Sequence, residues 1–163
     1  MNNGEVYLSD AIGIIEEVLE SGAEFLLSPK GTSMLPLIVQ GKDRVVLKKY
    51  GTSLPQKHDI VFYRRADGVF VLHRIMKISK DGSFVMCGDN QILLEYGIFP
   101  EQIFAFVSAI HKGERLLKLS SLRYRIYVRI WCFLPYRRFA MFFKNKFRAL
   151  KRKLFSKKNS QKY

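Results

Sequence analysis

Three side chains suited to hydrolytic chemistry arrive in chain order: Ser33 in Lys30-Gly31-Thr32-Ser33-Met34-Leu35-Pro36, His73 in Val71-Leu72-His73-Arg74-Ile75, and Asp89 in Gly88-Asp89-Asn90. A serine hydroxyl is a weak nucleophile at neutral pH. Acyl transfer therefore needs a neighbouring base, and that base is commonly oriented by a third polar group. The expected constellation is Ser33 as nucleophile, His73 as general base and Asp89 as the carboxylate that orients it. Each residue also has a plain structural use. Ser33 can cap the short turn around Met34 to Val39, His73 can sit satisfied within a strand, and Asp89 can brace its own turn through nearby backbone. His58 and His111 lie outside these segments and are expected to be structural or solvated.

Together the Gly31–Pro36 run, Asp59-Ile60-Val61-Phe62-Tyr63, His73-Arg74-Ile75 and Gly88-Asp89-Asn90 resemble the ordered boxes of type I signal peptidases and their SOS-repressor-type relatives, over residues 24–110. Bacterial signal peptidases place a lysine base where this chain has His73, so the resemblance is to the serine-histidine branch of the endoplasmic reticulum and archaea. It implies a serine endopeptidase that takes extended peptides with small residues near the cut, bound edge-on to a strand. The chain departs from the pattern at three places. A hydroxyl residue commonly stands two positions before the nucleophile, where this chain has Gly31. The Ser33 N–H and the Thr32 hydroxyl are then the expected oxyanion donors. The usual Gly-Asp ahead of the Ile-Val strand is His58-Asp59, and the second acidic residue after Gly-Asp-Asn is Glu95, which can do the same electrostatic work at a different reach.

The superfamily's other branch uses a neutral lysine. Neither Lys30 nor Lys77 matches that position, although Lys77, four residues beyond His73, is expected on the same strand face. No alanine is followed by glycine, which argues against the self-cleavage of the repressor relatives, and the stretch before Ser33 is too short for a helix-turn-helix domain.

The elements that must position these residues are mostly strands. Ser9 or Asp10 caps a helix with Ile12, Ile15, Val18 and Leu19 on one side and Glu16, Glu17 and Glu20 on the other, ended by Gly22. Expected strands are Phe25–Leu27, Arg44–Leu47, Asp59–Arg64, Val69–Ile78, Ser83–Met86 and Ile103–Ile110, with hairpin turns at Asp67-Gly68 and Asp81-Gly82. The expected fold class is mainly β, a coiled-sheet catalytic domain behind a short N-terminal helix. The division is residues 1–23 as helix, 24–111 as the β domain and 112–163 as a basic helical tail.

Charge separates the tail from the rest. The net charge is +14, yet residues 1–111 hold 11 Lys and Arg against 13 Asp and Glu, whereas residues 112–163 hold 17 against 1. Leu122, Ile126, Ile130 and Phe133 recur at helical spacing, with Arg125 and Arg129 alongside. After Pro135, a second stripe of Phe139, Ala140, Phe143, Phe147, Leu150 and Leu154 lies opposite Arg137, Arg138, Lys144, Arg148, Lys151 and Arg152. An amphipathic basic helix pair suits the interface of an anionic membrane, and the alternative use of its apolar stripe is packing on the β domain or a partner. A peptide or precursor-protein substrate and an anionic membrane surface are thus the expected partners. Nucleic acid is disfavoured because no nucleic-acid motif accompanies the charge. The N-terminus has no secretory-signal pattern, and no stretch approaches the roughly 18 to 20 apolar residues needed to span a bilayer. The expected location is cytoplasmic, peripheral at the inner membrane face. Cys87 and Cys132 have no metal-ligand spacing and are expected as reduced thiols; no cofactor is implied. A non-catalytic adaptor that keeps the peptidase fold is the alternative function.

Overall fold

A computed structural model describes residues 8–133 and, beyond them, positions 137, 139, 142 and 146. Most of the second basic helix expected after Pro135 therefore lies outside the described residues. The chain is mainly β: residues 8–133 form one eight-stranded antiparallel sheet with two α-helices and a short 3-10 turn. Helix α1 (Leu8–Glu20) buries Ile15 and Leu19 and leaves Glu16, Glu17 and Glu20 in water, as its periodicity predicts. It stops in a Schellman arrangement, with Gly22 left-handed at φ 81° and the N–H groups of Gly22 and Ala23 returning to the carbonyls of Leu19 and Val18.

The strands are β1 (Phe25–Leu27), β2 (Asp43–Lys48), β3 (Ile60–Arg64), β4 (Phe70–Ile78), β5 (Phe84–Cys87), β6 (Glu95–Ile98), β7 (Ile103–Lys112) and β8 (Arg115–Lys118). Their order is β1-β2-β7-β3-β4-β5-β6, and β8 pairs with β7. The long β7 organises the sheet. Along one edge it pairs with β2, and along the other it meets β3 through residues 103–106 and β8 through residues 109–112. Both expected hairpin turns form at Asp67-Gly68 and Asp81-Gly82, closed by hydrogen bonds between Arg65 and Val69 and between Ser79 and Ser83. Strand alternation splits the apolar residues into two clusters. Ile60, Phe62 and Leu72 join α1, Met34 and Val45 in the larger one, while Val61, Tyr63, Ile75 and Met86 form the other.

Two features correct the sequence expectations. First, the β domain does not end at residue 111: β7 runs to Lys112, β8 adds a further strand, and helix α2 (Leu122–Trp131) seats Tyr124 and Val128 in the larger core. The basic tail thus begins as part of the sheet domain. The helix is capped by Ser121, whose hydroxyl accepts the Tyr124 N–H. The stripe of Leu122, Ile126 and Ile130 faces outward instead, because the inward positions are taken by tyrosines with work to do on polar groups below. Second, β4 carries a bulge. Ile75 pairs with Met86 but Lys77 pairs with Val85, so Met76 is an extra residue and the strand changes parity. Lys77 therefore lies on the face opposite His73, beside Val85 and Met76.

Strand β4, the Gly88-Asp89-Asn90 turn and α2 are tied together by a buried ion pair. Arg74, fully buried on β4, donates Nε to Asp89 Oδ1 at 2.8 Å and a terminal nitrogen to Oδ2 at 2.7 Å. It also donates to Tyr124 Oη at 2.6 Å and the His58 carbonyl at 2.9 Å. From α2, Tyr127 donates to Asp89 Oδ2 and Trp131 Nε1 to the Asp89 carbonyl. Breaking such a pair from one side leaves a buried, uncompensated charge. Asp89→Ala is expected to lower unfolding free energy by about 3–5 kcal/mol in denaturant titration, because Arg74 is left buried without its counter-charge.

Candidate active site

The Ser33 turn is held at both ends by polar contacts from elsewhere in the chain. Gly31, left-handed at φ 94°, donates its N–H to Gln40 Oε1 at 2.8 Å. Downstream, buried Asp43 accepts the Val39 N–H at 2.7 Å and pairs with Lys112, which donates to the Leu37 carbonyl. Met34 is buried beneath the turn, the Leu35–Pro36 peptide is cis, and the half-buried Ser33 hydroxyl makes no hydrogen bond to any described residue.

Gly88-Asp89-Asn90 grips this turn through main-chain atoms. The Asn90 N–H donates to the Ser33 carbonyl at 2.6 Å, and Asn90 Nδ2 donates to the Thr32 carbonyl at 2.9 Å. Gly88 lies so close that a Cβ there would sit 2.7 Å from the Ser33 carbonyl oxygen, well inside contact distance. Glycine is required here by close approach.

Ser33 and His73 line one cavity of about 260 Å³, together with Gly31, Arg65, Leu72 and Gln91. No hydrogen bond joins their side chains; catalytic contacts of this kind commonly tighten when substrate binds. Arg65, His73 and Gln91 also line a neighbouring cavity of about 680 Å³, walled by Leu93 and Glu95.

The residue that orients His73 is not Asp89. Strand alternation sends His73 and Arg74 to opposite faces of β4, and Asp89 follows Arg74, which occupies both of its carboxylate oxygens. On the His73 face stand Tyr63 and Glu95. His73 Nδ1 lies 3.3 Å from Tyr63 Oη and 3.8 Å from Glu95 Oε2. Tyr63 donates its one hydroxyl hydrogen to Glu95 Oε2 at 2.8 Å. Its oxygen is then left to accept from His73, which assigns the proton to Nδ1 and leaves the Nε2 lone pair as the basic one. Arg65 completes the chain, donating Nε to Glu95 Oε1 at 2.7 Å and a terminal nitrogen to Oε2 at 2.6 Å.

Electrostatics agree with a neutral imidazole. Burial and then the Arg65 charge push His73 down to about 4, and the carboxylates of Glu95 and Asp89 only partly oppose them. Burial would raise Glu95, but hydrogen bonds from Arg65 and Tyr63 outweigh it and hold the carboxyl below its ordinary range. Tyr63 is raised by burial and by its bond to Glu95, so it stays protonated.

Of the sequence-predicted site residues, Ser33 and His73 share a cavity, Thr32 is exposed on the same turn, and Glu95 takes the orienting position expected of Asp89. Tyr63, Arg65 and Arg74 were not expected. A signal for Tyr63 was present: the Asp67-Gly68 turn pairs Val61 with His73 and Tyr63 with Val71, making Tyr63 a diagonal neighbour of His73 on one face. His58 adopts φ 78°, a left-handed backbone that favours glycine.

An NMR titration should find His73 neutral down to about pH 4. Unfolded histidine titrates near 6.5. Between these values only the unfolded chain takes up the proton, so His73 stabilises the fold fully above the unfolded value and this contribution is lost as pH falls toward 4. Gly88→Ala is expected to displace the Ser33 turn and slow covalent labelling of Ser33 by about a hundredfold, since a shift of about 1 Å at a reacting group costs that much.

Against known proteins, the chain matches no family model, no curated protein and no solved structure, so its chemistry rests on its own residues.

Proposed function

We propose that this protein is a signal-peptidase-like serine endopeptidase. Ser33 attacks a peptide carbonyl, His73 Nε2 takes the hydroxyl proton and returns it to the leaving amine, and water then hydrolyses the acyl-enzyme with His73 again as base. The observation that carries this reading is a single cavity lined by a serine and a buried neutral histidine whose other nitrogen is held by Tyr63. Glu95, braced by Arg65, stabilises the imidazolium formed in the transition state without becoming protonated itself. The Ser33 N–H, which meets no acceptor among the described residues, and the Thr32 hydroxyl are the proposed oxyanion donors. Extended peptides with small residues near the cut are the substrates implied by the resemblance, and the edge strand β1, ahead of the Ser33 turn, offers backbone for pairing.

A non-catalytic adaptor is the second reading, favoured by Gly31 in place of a hydroxyl residue and by the missing Ser33–His73 hydrogen bond. A fluorophosphonate probe with mass-spectrometric mapping separates the two. The peptidase reading expects an adduct on Ser33 that is absent in Ser33→Ala and forms at least about a hundredfold more slowly in His73→Ala. A folded wild-type protein that stays unlabelled leaves the adaptor.

A further inference from the structure

Helix α2 is apolar on two sides. Its inward side carries Val128, in the larger core, and Tyr124, Tyr127 and Trp131, whose polar atoms serve Arg74 and Asp89. Its outward side carries Leu122, Ile126 and Ile130, one turn apart, continued by Phe133, and these are 70, 51, 51 and 61 % exposed. Arg123, Arg125 and Arg129 are exposed along the same helix, which holds no acidic residue. A ridge of large apolar side chains in water, fringed by cations, is costly for the isolated domain.

We infer that the outward face of α2 docks on an anionic lipid surface. The charge decides between occupants. Residues 112–163 hold 17 basic residues and 1 acidic one, so a second copy of this chain would bring like charge against like charge, while anionic headgroups complement it. Nucleic acid would use the arginines but has no use for aliphatic side chains repeated along one ridge. At the end of the ridge Phe133 borders a cavity with Leu94 and Tyr96, on the face of β4 opposite His73. The lipid contact stands whether or not Ser33 is catalytic.

The test is co-sedimentation of the full chain with vesicles of phosphatidylglycerol and phosphatidylcholine, against phosphatidylcholine alone. Wild type is expected to partition to the anionic vesicles. Ile126→Asp with Ile130→Asp should weaken this by about tenfold or more, because insertion of the apolar face is lost. Arg125→Ala and Arg129→Ala should each weaken it by about fivefold. Retained melting temperature and circular dichroism confirm that these exposed substitutions leave the fold in place. The inference is overturned if wild type stays in the supernatant, or if the aspartate pair binds as well as wild type. It is also overturned if gel filtration shows a dimer that the aspartate pair dissolves, or if single-stranded RNA is bound and vesicles are not.

Discussion

The Arg74–Asp89 ion pair is the interaction on which the rest of this molecule depends. Both groups are fully buried, and their bidentate geometry fixes orientation as well as distance. Arg74 follows His73 directly on β4, and Asp89 stands between Gly88 and Asn90, the two residues that meet the Ser33 turn. One pair therefore sets where the hydroxyl lies relative to the imidazole, although neither partner faces the cleft. Such a pair is a poor source of net stability, because desolvation offsets most of the attraction. Its contribution is registry between a strand, a turn and a helix. A second buried cation, Arg137, lies 3.6 Å from Asp89 and is satisfied by the carbonyls of Gly88 and Trp131, so the site beneath the cleft holds more positive than negative charge.

On the opposite face of β4 the charges cancel, Arg65 against Glu95. A histidine beside a carboxylate would ordinarily be drawn toward the protonated state, but Arg65 binds Glu95 through both oxygens and removes most of that pull. Burial then decides in favour of the neutral ring. Tyr63 lets Glu95 direct the ring without direct contact, since its hydroxyl both donates to the carboxylate and accepts from the imidazole. The carboxylate, 3.8 Å from the His73 Nδ1, is close enough to stabilise a positive charge on the ring should it take up a proton.

Much of this was legible in the chain. The helix, six of the strands and both hairpin turns follow from periodicity and turn chemistry, because those signals are local. The strands β6 and β8 were missed: Glu95-Tyr96-Gly97-Ile98 and Arg115-Leu116-Leu117-Lys118 are short and carry little alternation, and each forms only because a partner strand is already in place. The parity change at Met76 is one inserted residue with no sequence mark, and it reversed the side assigned to Lys77. Ser33 and His73, expected from their segments, line one cavity, but the choice between Asp89 and Glu95 turns on which face of β4 each approaches. Their order along the chain does not carry that information. The outward ridge of α2 was visible as a stripe; that it faces away from the core follows from tyrosines that bury their rings to reach Arg74 and Asp89.

The grip on the Ser33 turn has a consequence for what the position is for. The carbonyls of Thr32 and Ser33 accept from the side-chain amide and the N–H of Asn90, and Gly31 and Val39 donate to the side chains of Gln40 and Asp43, so none of these bonds uses the side chain of residue 33. The scaffold is therefore indifferent to what hangs from residue 33, and folding places no demand on a hydroxyl there. Architecture and side-chain chemistry are thus separable at this one position, and the same turn could carry a thiol without being rebuilt.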